Sequence, residues 1–319
     1  MEEGVMNFLY SSYKLDYKNP ECNFLNINLD EDTCLFVDAY AMSRSSNQYM
    51  QSGHKALRIF MSETLLGLKN YIQDQTGINS LWQPKCFAEP KGTGIGLAKN
   101  GHKGRGSHDV KCQQIITALR HSKAVETGDL EDLEELLLVI EGIGSDTISD
   151  ITINIAKKHF IEYTQEKCQK LNIPMIVTKE KIRYFCSVDR KWKSDTFELP
   201  HLDVGLNKTS SYLIFIPNEI LEKNMAYGCN YFYTNIATPI YVDQVLRAGS
   251  SFIYSLKDGS KRVNKREMRK EDTYKGGKKR MDGFISDNPK SLKEYRKFVA
   301  DKRYKRNQEK KNPKKDDSE

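Results

Sequence analysis

Apolar residues recur with helical spacing between Lys55 and Gln73, and this pattern predicts an amphipathic core helix. Its apolar positions are Leu57, Phe60, Met61, Leu65, Leu68 and Ile72. Two further helices are expected, one from Val110 to Ala124 and one from about Ser149 to Leu171. The helices are expected to flank a central sheet.

Short apolar runs between polar segments predict the strands of that sheet. Thr33 to Tyr40 reads TCLFVDAY and predicts a buried strand that ends in Asp38. Leu136 to Ile140 predicts a second strand, which ends just before Glu141. Further strands are predicted at residues 173–178, within 182–199 and at 211–216. The order of these elements indicates an α/β fold with a mixed sheet flanked by helices.

The pattern changes after Leu256, where the apolar content falls and charge dominates. The 319-residue chain has a net charge of +7, and its last segment, Lys257 to Glu319, holds 23 Lys and Arg against 12 Asp and Glu. We predict an α/β core domain over residues 1–225 and a basic carboxy-terminal region over 226–319, with a helix near 289–306 and a disordered end. Such charge attracts nucleic acid, although a solubilising tail explains it equally well.

Composition excludes several classes of protein. The chain has no run of about 18 apolar residues and no basic-then-apolar amino terminus, so neither a membrane span nor a secretory signal is expected. The seven cysteines are scattered and form no CxxC pair. This argues against a zinc site or a disulfide framework and favours a reducing, cytoplasmic setting.

Acidic residues stand where predicted elements begin or end. They are Asp38, Glu141, Asp146 and Asp150. Asp146, Asp150 and Asn154 are spaced by one helical turn and share one helix face if the helix begins early enough. Mg²⁺ is usually held by one or two carboxylates with waters and phosphates, so the four acids predict a catalytic site that binds Mg²⁺ or Mn²⁺. Helix capping by Ser145 or Asp146, with Ser149 or Asp150 near the third helical position, explains two of the acids without a metal.

Glycines alternate with cations from Lys91 to Ser107, which reads KGTGIGLAKNGHKGRGS. Glycines let backbone N–H groups approach a phosphate closely, and the cations add attraction. Contacts to nucleic acid are predicted here and in the basic region, from Lys99, Lys103, Arg105, Lys278, Lys279 and Arg280. A surface loop without a ligand is the simpler interpretation. A nucleotide-binding loop is a third one, although the Walker A pattern is absent.

The stretch EGIGSDTISDITINI, Glu141 to Ile155, followed by IEYTQEKC, resembles an uncharacterised bacterial family found in phage-defence and mobile-element settings. The TCLFVDAY strand, the glycine-rich basic loop and YLIFIPNEIL fall in the same order, so the resemblance covers roughly residues 30–225. The chain departs from that pattern in having Ser145 before Asp146, where proline is common. The resemblance implies a defence context and no particular chemistry.

A second resemblance is to PIN-like nucleases. Those proteins place one acid after the first strand, further acids at a later helix start, and then a short strand. Asp38, the pair of Asp146 and Asp150, and the 173–178 strand follow the same order. This resemblance implies cleavage of nucleic acid with a bound metal ion.

These observations lead to two expectations of function. The first is a metal-dependent nuclease that acts on DNA or RNA as an effector of phage defence, with Mg²⁺ or Mn²⁺ held by Asp38, Glu141, Asp146 and Asp150. The alternative is a non-enzymatic sensor or adaptor of a defence system that binds a protein partner or nucleic acid through its basic tail. The expected partners are nucleic acid, a protein of a defence complex or a second copy of the chain, and not a membrane.

Overall fold

The computed structural model describes residues 8–74, 81–95, 107–128, 130–202, 212–225 and 227–311. The chain divides into two compact units. Unit 1 comprises residues 1–117 and 142–225, and unit 2 comprises residues 118–141 and 226–319. The predicted domain boundary after residue 225 is thus also a boundary between units, but the segment 118–141 belongs with the carboxy-terminal region.

Helices dominate both units, and the strands are short. The helices are α1 (Leu9–Ser12), α2 (Ala39–Arg44), α3 (Gln48–Asp74), α4 (Ser107–Arg120), α5 (Lys123–Glu126), α6 (Leu136–Val139), α7 (Ser145–Lys170), α8 (Cys229–Phe232), α9 (Thr238–Ala248), α10 (Lys265–Met268), α11 (Lys278–Asp287) and α12 (Lys290–Lys311). The strands are β1 (Phe36–Val37), β2 (Met175–Val177), β3 (Ile182–Cys186), β4 (Lys191–Asp195), β5 (Glu198–Pro200), β6 (Leu221–Glu222), β7 (Ile253–Ser255) and β8 (Lys261–Val263).

The predicted helices are confirmed. Helix α3 contains the whole of the predicted amphipathic helix, α4 covers most of the second one, and α12 covers the predicted basic helix. Helix α7 begins at Ser145, earlier than the predicted start near Ser149. Asp146 and Asp150 therefore both lie on α7 rather than in the turn before it.

The strands form small antiparallel pairs. Strand β1 pairs with β6, β2 with β5, β3 with β4, and β7 with β8. The predicted α/β class, with strands flanked by helices and a basic carboxy-terminal extension, is confirmed. The predicted strand at 211–216 has no regular ladder in its described part, because Leu213 donates to the carbonyl of Pro200 while Ile214 donates to that of Gly92.

The core of unit 1 lies between α3 and α7, which pack against each other. A Cβ at Gly53 would lie 2.7 Å from Met42 Cε and 3.2 Å from Ala156 Cβ, so a larger residue would disturb this packing. Phe60 of α3 is fully buried and contacts the ring of Trp82 edge-on at 5.5 Å. The Trp82 indole N–H donates to the buried hydroxyl of Thr64 at 2.8 Å, which satisfies both polar groups.

Aromatic rings and ion pairs hold unit 2 together. Phe232 contacts the ring of Phe284 at 6.0 Å and that of Tyr295 at 5.1 Å, both edge-on. Arg296 of α12 binds Glu135, and Arg303 of the same helix binds Glu134. Part of the basic charge of α12 therefore neutralises acids of the 131–135 segment and is not available to a polyanion.

The predicted strand from Leu136 to Ile140 is wrong, because these residues form helix α6 and its end. A 3₁₀ turn at Leu133–Glu135 precedes α6, and Asp132 and Glu135 cap that turn reciprocally. All five apolar residues are buried, so the run has no polar position that could reveal a helical period. Glu141 consequently follows a helix end and not a strand end.

Two further findings bear on the expectations. Among the described residues, no helix is long and apolar enough to cross a membrane. The predicted disordered end lies mostly outside the described residues, which stop at Lys311, the last residue of α12.

Candidate functional site

The first half of α7 carries a row of polar side chains. Asp146 lies in the first turn, and Asp150 and Asn154 follow at intervals of one turn, so the three share a helix face. Asp146 and Asp150 are partly exposed, whereas Asn154 is buried. Gly144 occupies the N-cap position, so neither Ser145 nor Asp146 is the N-cap residue. Asp146 lies in the first turn, where its negative charge complements the helix dipole.

Asn154 ties a loop of unit 1 to this face of α7. Its side-chain amide donates to the carbonyl oxygens of Cys86 at 3.0 Å and Ala88 at 2.7 Å. Its Oδ1 accepts a hydrogen bond from Lys157 Nζ at 2.7 Å. The next residue of the loop is Glu89, so this amide fixes where that carboxylate stands relative to α7.

A glycine turn brings a second segment to the same loop. The N–H of Thr33 donates to the carbonyl of Gly94 at 2.9 Å. Gly94 has a φ of +62°, and a Cβ there would lie 2.4 Å from Cγ2 of Ile27, so only glycine fits this approach. The contact places Asp32, the residue before Thr33, within reach of Glu89.

Asp32 and Glu89 form a pair of acids whose carboxyl groups are hydrogen-bonded to each other. Burial raises the pKa of Asp32, although its hydrogen bond to Glu89 opposes the shift. Burial, the charge and hydrogen bond of Asp32, and the charge of Asp146 all raise the pKa of Glu89. Oδ2 of Asp32 is buried and has no hydrogen-bond partner among the described residues. The charges of Asp32 and Asp146 therefore both act on Glu89 and disfavour its ionised form.

Two cations lie near this face: Lys157, one turn beyond Asn154 on α7, and Arg183 on β3. Burial, with the charge of Arg183, lowers the pKa of Lys157 to about 8, and the charge of Asp150 opposes this shift. Arg183 itself donates to Gln83 Oε1 at 2.5 Å and stacks over the ring of Trp192 at 4.3 Å. This part of the site can hold an anion through Lys157 and Arg183 beside the acidic turn.

Asp38 has a structural role that the sequence left open. Its carboxylate accepts the N–H of Ala41 at 3.0 Å and caps α2. The preceding residue, Val37, donates its N–H to Ser149 Oγ at 3.0 Å. The end of β1 therefore lies against α7 at Ser149, next to Asp150. Asp38 itself is buried and caps α2.

Glu141 belongs to unit 2, whereas Asp38, Asp146 and Asp150 belong to unit 1. Glu141 is exposed. Within unit 2, burial lowers the pKa of Lys278, and the nearby Cys229 and Glu141 oppose that shift. The Lys278 ammonium donates to the carbonyl of Ile140 at 2.9 Å, so this predicted nucleic-acid contact also holds the end of α6. The neighbouring cations on α11 are exposed: Lys279 and Arg280.

Three predicted phosphate contacts, Lys99, Lys103 and Arg105, lie outside the described residues. Among the residues that are described, no group of three or more His, Cys, Asp or Glu could hold a metal ion. Asp32 and Glu89 together offer two carboxylates, and Mg²⁺ commonly binds one or two carboxylates of a protein.

The prediction of the site from sequence missed Asp32, Glu89 and Lys157. Glu89 stands two residues before the glycine-rich basic segment, and this position was the one local signal for it. Asp32 carries no such signal, because its approach to Glu89 depends on a contact between Thr33 and Gly94 that are far apart in sequence.

The comparisons with known proteins show a family without an assigned activity. A family described as Domain of unknown function (DUF8370) matches residues 14–228, about two thirds of the chain. The chain belongs to this family. The match to DUF8370 includes all the residues described above around the first half of α7, from Asp32 to Arg183. No curated protein matches the chain, and no solved structure matches it.

Proposed function

We propose that this protein is a metal-dependent nuclease that acts on DNA or RNA, with its site on the α7 face of unit 1. The observation that carries the proposal is the Asp32–Glu89 acid pair beside Asp146, in which burial and both neighbouring acids raise the pKa of Glu89. Clustered acids that destabilise one another occur mainly at functional sites, where a ligand or reaction offsets their repulsion.

The acid pair fits a hard divalent cation. Mg²⁺ or Mn²⁺ takes oxygen ligands, and Asp32 supplies a buried carboxylate oxygen without a hydrogen-bond partner among the described residues. Asp32 and Glu89 would hold the ion, with Asp146 beside them. Such an ion activates water and neutralises charge on a phosphodiester. Asp38, Glu141 and Asp150 stay predictions as metal ligands.

The cations of the site suit a phosphodiester substrate. Lys157 has a pKa of about 8, so it is mostly protonated at neutral pH and can bind a phosphate oxygen. Arg183 offers a planar guanidinium in the same neighbourhood. Their role in the proposal is to bind and orient the phosphate while the acids hold the metal ion.

The purified full chain should cut DNA or RNA only in the presence of Mg²⁺ or Mn²⁺. Glu89→Gln and Asp146→Asn should each lower the cleavage rate at least about tenfold, because each removes a carboxylate from the proposed site. The assay uses labelled single-stranded and double-stranded DNA and RNA, with EDTA as the metal-free arm.

Asp195→Asn is the matched control, because Asp195 is an exposed carboxylate on β4 of the same unit. It should cleave like the wild type. Absence of cleavage by the wild type on all four substrates, or wild-type cleavage rates in both Glu89→Gln and Asp146→Asn, would refute the nuclease proposal.

A thermal shift should report the metal ion without any cleavage. The pKa values of Asp32 and Glu89 are raised in the native state, so the native state keeps protons that the unfolded state has already released. The stability of the native state therefore falls as the pH rises above the ordinary carboxyl range. Asp32→Asn should therefore raise the melting temperature in EDTA at pH 7. Mg²⁺ or Mn²⁺ at about 100 times its Kd should raise the wild-type value by about 5 °C and leave Asp32→Asn unchanged.

The readout is the fluorescence of Trp82 and Trp192, which both lie in unit 1. Asp195→Asn is again the control and should show the full metal shift. If Mg²⁺ or Mn²⁺ raises the melting temperature of Asp32→Asn as much as that of the wild type, the ion binds elsewhere and the proposed ligands are wrong.

The alternative function is a non-enzymatic sensor or adaptor of a defence system. The exposed Lys279 and Arg280 of α11 favour it, since they are available to a polyanion or an acidic partner. This alternative predicts tight binding of nucleic acid or of a protein partner without turnover. The defence setting of both proposals rests on the sequence resemblance alone.

A further inference from the structure

Unit 2 contains a groove between α9 and the β7–β8 hairpin. The cavity measures about 600 Å³, which is within the usual size of a ligand site. Its apolar lining consists of Val242, Leu246, Tyr254 and Val263. Its polar lining includes Lys261, Arg262 and Lys265. A groove with an apolar floor and three cations points to an anionic ligand that also has an apolar part.

The cations of the groove differ from Arg247, Lys270 and Lys275 of the same unit in having no acidic partner among the described residues. Within the described part of the chain, no ion pair engages Lys261, Arg262 or Lys265. Elsewhere in the unit, Arg247, Lys270 and Lys275 bind acids at 2.8, 2.8 and 2.6 Å. The three cations of the groove are therefore available to a ligand from outside.

The hairpin itself is strongly basic. Residues 257–266 contain five cations and one acid. That acid, Asp258, accepts hydrogen bonds from the N–H of Ser260 at 2.9 Å and from its hydroxyl at 2.7 Å, so it shapes the hairpin turn. The single negative charge of Asp258 leaves residues 257–266 with five cations against one acid, a net charge of +4.

Tyr254 is half exposed, with 50% of its surface accessible. Several other rings of unit 2 pack in pairs, as Tyr241 does with Phe284 at 5.0 Å. Tyr254 is paired in register with Arg262 across the hairpin, so the ring and the guanidinium lie side by side on one face. An exposed ring beside an unpaired cation is the arrangement that stacks an unpaired base and holds its phosphate.

We propose that this groove binds single-stranded nucleic acid, with a base stacked on Tyr254 and phosphates on Arg262 and the neighbouring Lys261 and Lys265. A cavity of about 600 Å³ has room for one or two nucleotides and not for a duplex. An acidic peptide would satisfy the cations, but only an added aromatic side chain would give it a planar group for Tyr254, whereas every nucleotide carries both a base and a phosphate. The inference goes beyond the proposed cleavage and does not require it.

Binding is measured by fluorescence anisotropy with the full chain and labelled 12-nucleotide oligo-dT and oligo-U. EDTA is present throughout, so that metal-dependent cleavage does not interfere. The wild type should bind the single strands more tightly than a 12-base-pair duplex. Tyr254→Ala should weaken binding about 5- to 100-fold, while Tyr254→Phe should keep it, because stacking needs the ring and not the hydroxyl.

The triple variant Lys261→Ala/Arg262→Ala/Lys265→Ala should flatten the dependence of log Kd on log salt by about 2 units, at about 0.7 per lost phosphate contact. The matched control is Arg247→Ala/Lys270→Ala/Lys275→Ala, which removes the same charge from cations that already have partners. The control should bind within about twofold of the wild type.

The proposal is overturned if Tyr254→Ala binds like the wild type or if the two triple variants lose affinity equally. It is also overturned if the duplex binds as tightly as the single strands, or if a polyglutamate peptide displaces them at equal concentration. Binding without any cleavage would refute the nuclease and leave the groove intact. Cleavage that survives in Tyr254→Ala, together with lost affinity, would support both.

Discussion

Arg296→Met should destabilise unit 2 by about 3–5 kcal/mol, because it leaves a buried carboxylate without its cation. Arg296 binds Glu135 through two nitrogens, Nε to Oε1 at 2.6 Å and Nη2 to Oε2 at 3.1 Å. The side chain of Glu135 is fully buried. Burial raises the pKa of Glu135 even with Arg296 in place, so the loss of Arg296 would favour its protonation. Protonation would weaken the hydrogen bonds that the carboxylate accepts from the N–H groups of Glu131 and Asp132.

The measurement is hydrogen–deuterium exchange of the α12 amides. Both tryptophans, Trp82 and Trp192, lie in unit 1, so their fluorescence does not report directly on unit 2. A loss of about 3–5 kcal/mol corresponds to exchange that is faster by about two to four orders of magnitude. Unchanged protection in α12 would show that the Arg296–Glu135 pair does not hold this helix.

Two variants separate the ion pair from a general effect on α12. Lys297→Met removes an exposed cation from the next position and should leave exchange within about threefold of the wild type. Adding Glu135→Gln to Arg296→Met should restore at least about 1 kcal/mol, because the buried charge is then gone while one side-chain oxygen still accepts a backbone N–H. A double variant that is less stable than Arg296→Met would contradict this account.

The helices of the fold were predictable because their apolar residues keep a period. The Lys55–Gln73 pattern lies wholly inside α3, and α12 covers the predicted basic helix. The Leu136–Ile140 run failed for a physical reason. It is buried on every side, so a helical turn and a strand would have the same all-apolar sequence there.

The candidate site was predictable only where it lies on one helix. The spacing of Asp146, Asp150 and Asn154 predicts their shared face, and α7 confirms it. Asp32 and Glu89 were missed because two long-range contacts place them, one made by the Asn154 amide and one by Gly94. Local pattern carries no information about such contacts.

Two predicted site residues also bind backbone groups, and their predicted roles stay predictions. Asp38 follows a strand as expected, and its carboxylate caps α2. Lys278 is predicted to contact nucleic acid, and its ammonium binds the carbonyl of Ile140. In both cases the sequence shows a charged residue at an element end, and only the fold shows which backbone group it satisfies.

Lys157→Met should stabilise unit 1 at pH 7 by about 3 kcal/mol, because the native state holds this ammonium at a cost. Its pKa falls from an ordinary value near 10.5 to about 8, mainly through burial and the charge of Arg183. As the pH rises above about 8, the native state loses this proton before the unfolded state does. The stability of the wild type should therefore rise relative to the variant between about pH 8 and 10.

The measurement is urea denaturation followed by Trp82 and Trp192 fluorescence at pH values from 7 to 10, for both proteins. Lys158→Met is the control, since Lys158 is the adjacent lysine on α7, is more exposed, pairs with Glu162 at 3.8 Å and lies 5.7 Å from the ring centroid of Tyr184. It should show no gain. A gain in Lys157→Met that does not change with pH, or an equal gain in Lys158→Met, would show that burial of the ammonium is not its cause. A gain that vanishes near pH 10 would show that α7 keeps a destabilising cation beside the acid pair, as expected of a residue retained for binding an anion and not for folding.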